Sequence, residues 1–109
     1  MPAIDLAHRK CVPCDGNARR LDADRIRDLA GQLPSWQSKD ERLHKTFAFR
    51  DFVTVMEFLN RVAEVAETER HHPDFCVHYN RVEFTIFTHA VGGLSENDFI
   101  LAAKIDALV

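Results

Sequence analysis

The stretch DFVTVMEFLNRVAEVAETERHHPDFCVHYNRVEFTIFTH, residues 51–89, changes its hydrophobic period part-way along, and that change decides the fold. In its first half Phe52, Val55, Met56, Leu59, Val62, Ala63 and Ala66 recur at helical spacing, with Glu57, Arg61 and Glu64 off the stripe. Pro73 cannot continue a helix, so a long helix is expected to end near His71. The period then drops to two. DFCVHY and RVEFTIFTH read as two strands joined at about Tyr79-Asn80-Arg81. In the second strand Val82, Phe84, Ile86 and Thr88 face one way, and Glu83, Thr85, Phe87 and His89 the other.

Upstream, LHKTFAFR (43–50) alternates as a strand with one apolar-leaning face, Leu43, Lys45, Phe47 and Phe49, and SWQS before it begins a short strand. Residues 22–33 read as a first helix, capped by Asp22, with Ile26, Leu29, Ala30 and Leu33 on one face and Pro34 after it. Downstream, AVGG is a turn. SENDFILAAKIDALV is a last helix, with Ser95 as cap and Asp98 three residues on, as in a capping box. The order helix, strands, long helix, strands, helix predicts an α+β fold: an antiparallel four-stranded sheet with three helices packed on one face. Residues 1–21, punctuated by Pro2, Pro13 and Gly16, read as an irregular N-terminal arm, and 22–109 as the domain.

Composition narrows the classes. The 109 residues are 46% hydrophobic and 28% charged, with a net charge of -3. That is ordinary for a globular domain and gives no general attraction to nucleic acid or an anionic membrane. No apolar run approaches the roughly 20 residues of a membrane span, and MPAIDLAHRKCVPC does not read as a secretory signal. The three cysteines, Cys11, Cys14 and Cys76, make no disulfide framework and favour a reducing compartment. A cytoplasmic protein is expected, small enough to enter a nucleus passively. Cys11 and Cys14 form a CxxC without a second pair. Half a zinc site helped by His8, or a redox pair, are readings of it, but an arm without an essential catalytic part is preferred.

The histidines carry the chemistry. His71 and His72 stand at a helix C-terminus, where a solvated pair of protonatable rings is a sufficient explanation. His89 ends a strand before a glycine-containing loop, so three imidazoles at two element ends can converge on one cleft. Imidazole titrates near neutrality and serves as acid or base. The spacing matches no familiar zinc pattern such as HExxH, although three histidines with an open position would suit a catalytic zinc. Glu67 lies one turn before His71, a spacing that lets it touch and orient that ring, or it is an ordinary solvated charge. Asp98 is adequately explained as a helix-start residue.

Glu67-x3-His71-His72-Pro73, followed by Tyr79, His89 and Asp98, resembles the signature of the pterin-4a-carbinolamine dehydratases, also described as dimerization cofactors of a homeodomain transcription factor. Trp36, TFAFRDF (46–52) and THAVGGLSENDF (88–99) extend the resemblance over about residues 22–109. Phe75 stands where the family often has tryptophan, and Cys76 and His78 also depart from its commoner residues.

The resemblance implies a dehydratase without metal or cofactor, acting on the 4a-hydroxytetrahydropterin left by aromatic amino acid hydroxylases. It implies acid–base roles for His71 and His89, with His72 orienting the pterin and sharing in proton transfer. Pro73 would fix where the histidines point. Thr88, Ala90 and Val91 would offer backbone groups to the ring, and Glu67 and Asp98 would support. It further implies a homotetramer built as a dimer of dimers. A non-enzymatic coactivator module bound to a transcription factor is the alternative it carries.

Overall fold

The computed structural model describes residues 6–12 and 19–109. Its elements are a 3-10 turn at Leu6–His8, α1 (Ala23–Ala30), β1 (Gln37–Lys39), β2 (Arg42–Ala48), α2 (Phe52–Glu69), β3 (Asp74–His78), β4 (Arg81–Ile86), a second 3-10 turn at His89–Val91, and α3 (Glu96–Asp106). The strands form one antiparallel sheet in the order β1-β2-β4-β3. The helices cover one face, so the expected α+β architecture is the observed one.

Strand alternation explains the single covered face. Leu43 and Phe47 on β2 and Val82, Phe84 and Ile86 on β4 are buried, while Thr46, Ala48, Arg81 and Glu83 between them are exposed. Phe47, Phe58 and Phe84 form the aromatic centre, with ring centroids 5.1 Å apart for Phe47–Phe58 and 5.6 Å for Phe47–Phe84. Trp36 closes one end of it, 6.1 Å from Phe47. Lys45 points inward too, but near the rim. Its ammonium donates to Asp106 Oδ1 (2.7 Å) and Ser35 Oγ (2.8 Å), and Trp36 Nε1 donates to Asp106 Oδ2 (3.1 Å). The end of α3 is thereby tied to the sheet.

Both short hairpins use two-residue loops. Asp40 and Glu41 take positive φ (54° and 58°), as a type I′ turn requires. Tyr79, at φ 50°, opens the β3–β4 loop, and Asn80 fastens it by donating from Nδ2 to Phe49 O at 3.1 Å.

Four details differ from the sequence reading. The strand read through His89 ends at Ile86, and His89 opens a 3-10 turn instead. α1 ends at Ala30, and Gln32 and Leu33 continue only as tighter turns bonded to Leu29 and Ala30. On α2 the buried residues are Val55, Phe58, Leu59, Val62 and Ala66, whereas Phe52, Met56 and Ala63 of the expected stripe are exposed. The sheet-facing stripe is rotated toward Phe58, because α2 carries apolar residues over more than one face. Finally, α2 is stopped by Arg70 rather than by Pro73. Arg70 adopts the left-handed conformation (φ 54°, ψ 38°), and the His71 N–H donates back to Ala66 O at 3.2 Å, which is a Schellman wrap.

The described part of the N-terminal stretch lies along α3 and the end of α2. Leu6 is buried, Lys104 Nζ donates to Ala7 O (2.9 Å), and Asn97 exchanges two 2.8 Å hydrogen bonds with the backbone of Val12. Cys11 N–H donates to Glu69 Oε1 at 2.8 Å. Cys14, the other half of the CxxC, is outside the described residues.

Candidate active site

The turn at Arg70 decides where the two adjacent histidines go. Once the helix ends, successive side chains diverge: His71 enters the protein and His72 stays outside. His71 Nε2 lies 2.6 Å from Asp98 Oδ1, with side-chain exposures of 7% and 0%. His72 Nε2 lies 2.6 Å from Glu67 Oε2, with exposures of 59% and 78%. The expectation that Glu67 touches His71 is therefore corrected. The i, i+4 relation requires an unbroken helix through His71, and the left-handed residue before it passes the contact to His72.

Asp98 reaches the site because α3 starts there. It is the third residue of the helix, and its Oδ2 accepts from Ser95 N–H (2.8 Å), the side-chain-to-backbone half of the expected capping box. The same oxygen accepts from Thr88 Oγ1 at 2.9 Å, and Thr88 Oγ1 lies 2.7 Å from Ser95 Oγ. Both Asp98 oxygens are thus engaged in a buried cluster of His71, Thr88, Ser95 and Asp98. Asp98 therefore caps α3 and at the same time bonds the His71 ring.

A carboxylate already accepting two hydrogen bonds is best matched by a ring that donates to it. The Nε2–Asp98 bond therefore carries its proton on the ring. This fixes the tautomer and leaves Nδ1 as the nitrogen able to take a proton.

His89 is connected to this cluster through the backbone. Thr88, its neighbour, is buried and tied to Asp98, and the Thr88 N–H donates to Gly93 O (2.9 Å). Gly92, at φ +65° and ψ 31°, supplies the left-handed step that turns the loop. The backbone of Thr88 is engaged within this loop: its carbonyl accepts from Val91 N–H at 3.2 Å. Ala90 is exposed and Val91 half-buried. Carrying the β3–β4 register three residues past Asp74–Thr85 sets His71 across from Thr88, which agrees with their shared carboxylate.

The His89 ring itself is exposed and lies against Phe87, with centroids 4.2 Å apart, and the Arg42 guanidinium lies over Phe87 at 4.3 Å. A hollow of about 250 Å³ borders His89, Phe87 and Arg42. The sequence reading missed Ser95 as a partner of Thr88, and Arg42 and Phe87 as neighbours of His89. The alternation read through residues 81–89, which put Phe87 and His89 on one side of the chain, was the available signal for the latter pair. Pro73, half-buried, follows His72. Among the described residues no three His, Cys, Asp or Glu side chains gather as a metal-binding group. Burial pushes the Cys11 thiol up to about 12, with the Glu69 carboxylate adding to it, so Cys11 is a thiol rather than a nucleophile.

A sequence model for pterin 4 alpha carbinolamine dehydratase matches residues 19–108, nearly the whole chain. The chain belongs to the pterin 4 alpha carbinolamine dehydratase family. A protein of Nitrosomonas eutropha carrying the name pterin-4-alpha-carbinolamine dehydratase is 51% identical over 108 residues, covering 96% of this chain and 94% of that one. One of Rubrobacter xylanophilus with the same name is 47% identical, covering 95% and 98%. Among solved structures, a transcriptional coactivator/pterin dehydratase from Brucella melitensis superposes with a TM-score of 0.78 at 35% identity, over 82% of this chain and 97% of that one. The dehydratase match spans both histidine-bearing segments and the Asp98 helix start.

Proposed function

We propose that the protein dehydrates a 4a-hydroxytetrahydropterin to the quinonoid dihydropterin and water, by histidine acid–base catalysis. The observation that carries the reading is the buried His71–Asp98 pair, joined by the Thr88 hydroxyl to the chain immediately before His89. The family membership and the names of its relatives supply the substrate class.

The reaction asks for two proton transfers. The N5 lone pair of the pterin expels the 4a-hydroxyl, so the C4a–O bond breaks and oxygen leaves as water. One group takes the N5 proton, and another protonates the leaving oxygen. Asp98 orients the His71 ring with Nδ1 available for one transfer, and His89 serves the other. His72, held by Glu67 at the surface, orients the pterin together with Pro73 and the backbone of Ala90 and Val91. The pterin would be recycled for an aromatic amino acid hydroxylase, in the cytoplasm.

Self-association accompanies this reading. Phe52, Val53 and Met56 form an exposed apolar stripe on α2, and β3 is an edge strand bearing exposed Phe75 beside exposed Tyr79. Unpaired edges and apolar stripes are commonly covered by a partner, and two such surfaces on one chain suit a dimer of dimers. Light scattering on the purified protein tests the tetramer.

The functional test is dehydration of synthetic 4a-hydroxytetrahydropterin followed by ultraviolet absorbance, with chelator present and the spontaneous rate subtracted. Wild type is expected to accelerate the reaction, and His71→Ala or His89→Ala to lose most of the gain, roughly 10²-fold or more. A wild-type rate equal to buffer would remove the enzymatic reading and leave an interaction module.

A further inference from the structure

His89 poses a positional problem that the buried cluster does not solve. Its backbone is well fixed. Thr88 is tied to Asp98 on one side, and the loop closes on the other through Gly92 N–H donating to His89 O at 3.2 Å. Its ring, however, is exposed, and an exposed imidazole on a fixed backbone still samples several rotamers. A proton-transfer group must be held to a fraction of an ångström.

The contact that supplies this restraint is aromatic. Phe87 and His89 project to the same side of the chain, two residues apart, and their ring centroids are 4.2 Å apart at an interplanar angle of 48°. Phe87 is half-buried and is in turn covered by the Arg42 guanidinium, 4.3 Å from its centroid. Arg42 belongs to β2, the neighbour of β4, so the restraint is anchored in the sheet rather than in the loop.

We propose that Phe87, steadied by Arg42, is a positioning platform for the His89 ring. Neither side chain has to touch the pterin or move a proton. Phe87 removes rotamers of His89, and Arg42 keeps Phe87 from swinging away. The inference rests on the reading of His89 as a proton-transfer group, and one of its readouts is independent of activity.

The experiment compares wild type with Phe87→Leu, Phe87→Tyr and Arg42→Gln, by steady-state dehydration and by NMR of the histidine ring protons. Peaks absent from His89→Ala identify the His89 ring. In wild type these peaks are expected upfield, shielded by the Phe87 ring, and in Phe87→Leu they move to the position of an unstacked histidine. Alongside, kcat falls about tenfold with KM unchanged in Phe87→Leu, is restored in Phe87→Tyr, and falls only two- to threefold in Arg42→Gln. Unshifted ring protons in Phe87→Leu would overturn the proposal. So would lost shielding with full kcat, or a raised KM at unchanged kcat, which would make Phe87 a substrate contact. If wild type dehydrates no pterin, the functional reading falls by itself, and the platform then stands or falls on the ring shift alone.

Discussion

Two histidine–carboxylate pairs lie side by side in this molecule, at the same 2.6 Å separation, and share almost nothing else. His71–Asp98 is buried at the first turn of α3, and the carboxylate has further donors in Thr88 and Ser95. His72–Glu67 is open to water at both ends. Distance alone would rank them equal. Burial separates them, because water competes for an exposed pair and salt screens it, while a buried group stripped of its partner keeps its full desolvation cost. The inner pair can hold one ring in one orientation, and the outer pair can let its ring adapt to a ligand. A single left-handed residue, Arg70, produces this difference by ending α2 between Glu67 and the histidines.

Removing the inner carboxylate gives the largest expected effect. Asp98→Asn exchanges a buried acceptor of three hydrogen bonds for an amide that cannot satisfy them all. It should cost about 3–5 kcal/mol of stability, seen as a lower urea midpoint at unchanged slope, with activity lost even under folded conditions. Next comes Thr88→Val, which keeps the shape of the side chain but removes one donor to Asp98 and the link to Ser95. A loss of about 1–2 kcal/mol is expected, together with reduced kcat if Thr88 helps aim His71. The smallest effect belongs to the outer pair: Glu67→Gln should change stability by less than about 1 kcal/mol, and that little should vanish in high salt. Equal losses for Asp98→Asn and Glu67→Gln would erase the distinction between the pairs.

The contrast also marks how far the sequence could be read. The switch from helical to alternating period around residues 70–74 located α2, β3 and β4, and the Asp22 and Ser95 caps placed two helix starts, because these are local signals. The stripe of α2 was harder. Phe52, Met56 and Phe58 are all apolar, and periodicity does not say which of two apolar faces meets the sheet. The histidine array marked the candidate site, but not its pairing. Arg70 gives no glycine-like warning of a left-handed turn, so the spacing left Glu67 open between a partner of His71 and a solvated charge. Asp98 is far away in sequence, and its contact with His71 depends on how α3 crosses the end of α2. Its helix-cap role was legible, while its second role needed the fold. The platform beneath His89 was half legible: alternation places Phe87 beside His89, but Arg42 arrives from another strand.

The most direct test of the difference between the two pairs is the steady-state dehydration of 4a-hydroxytetrahydropterin by His71→Gln and His72→Gln, side by side, with circular dichroism confirming that both are folded. The expected result is a kcat loss of roughly 10²-fold or more for His71→Gln, against a change mainly in KM for His72→Gln. The contrary result, a collapse of kcat in His72→Gln with His71→Gln close to wild type, would mean that the exposed pair does the chemistry and the buried pair only holds the fold.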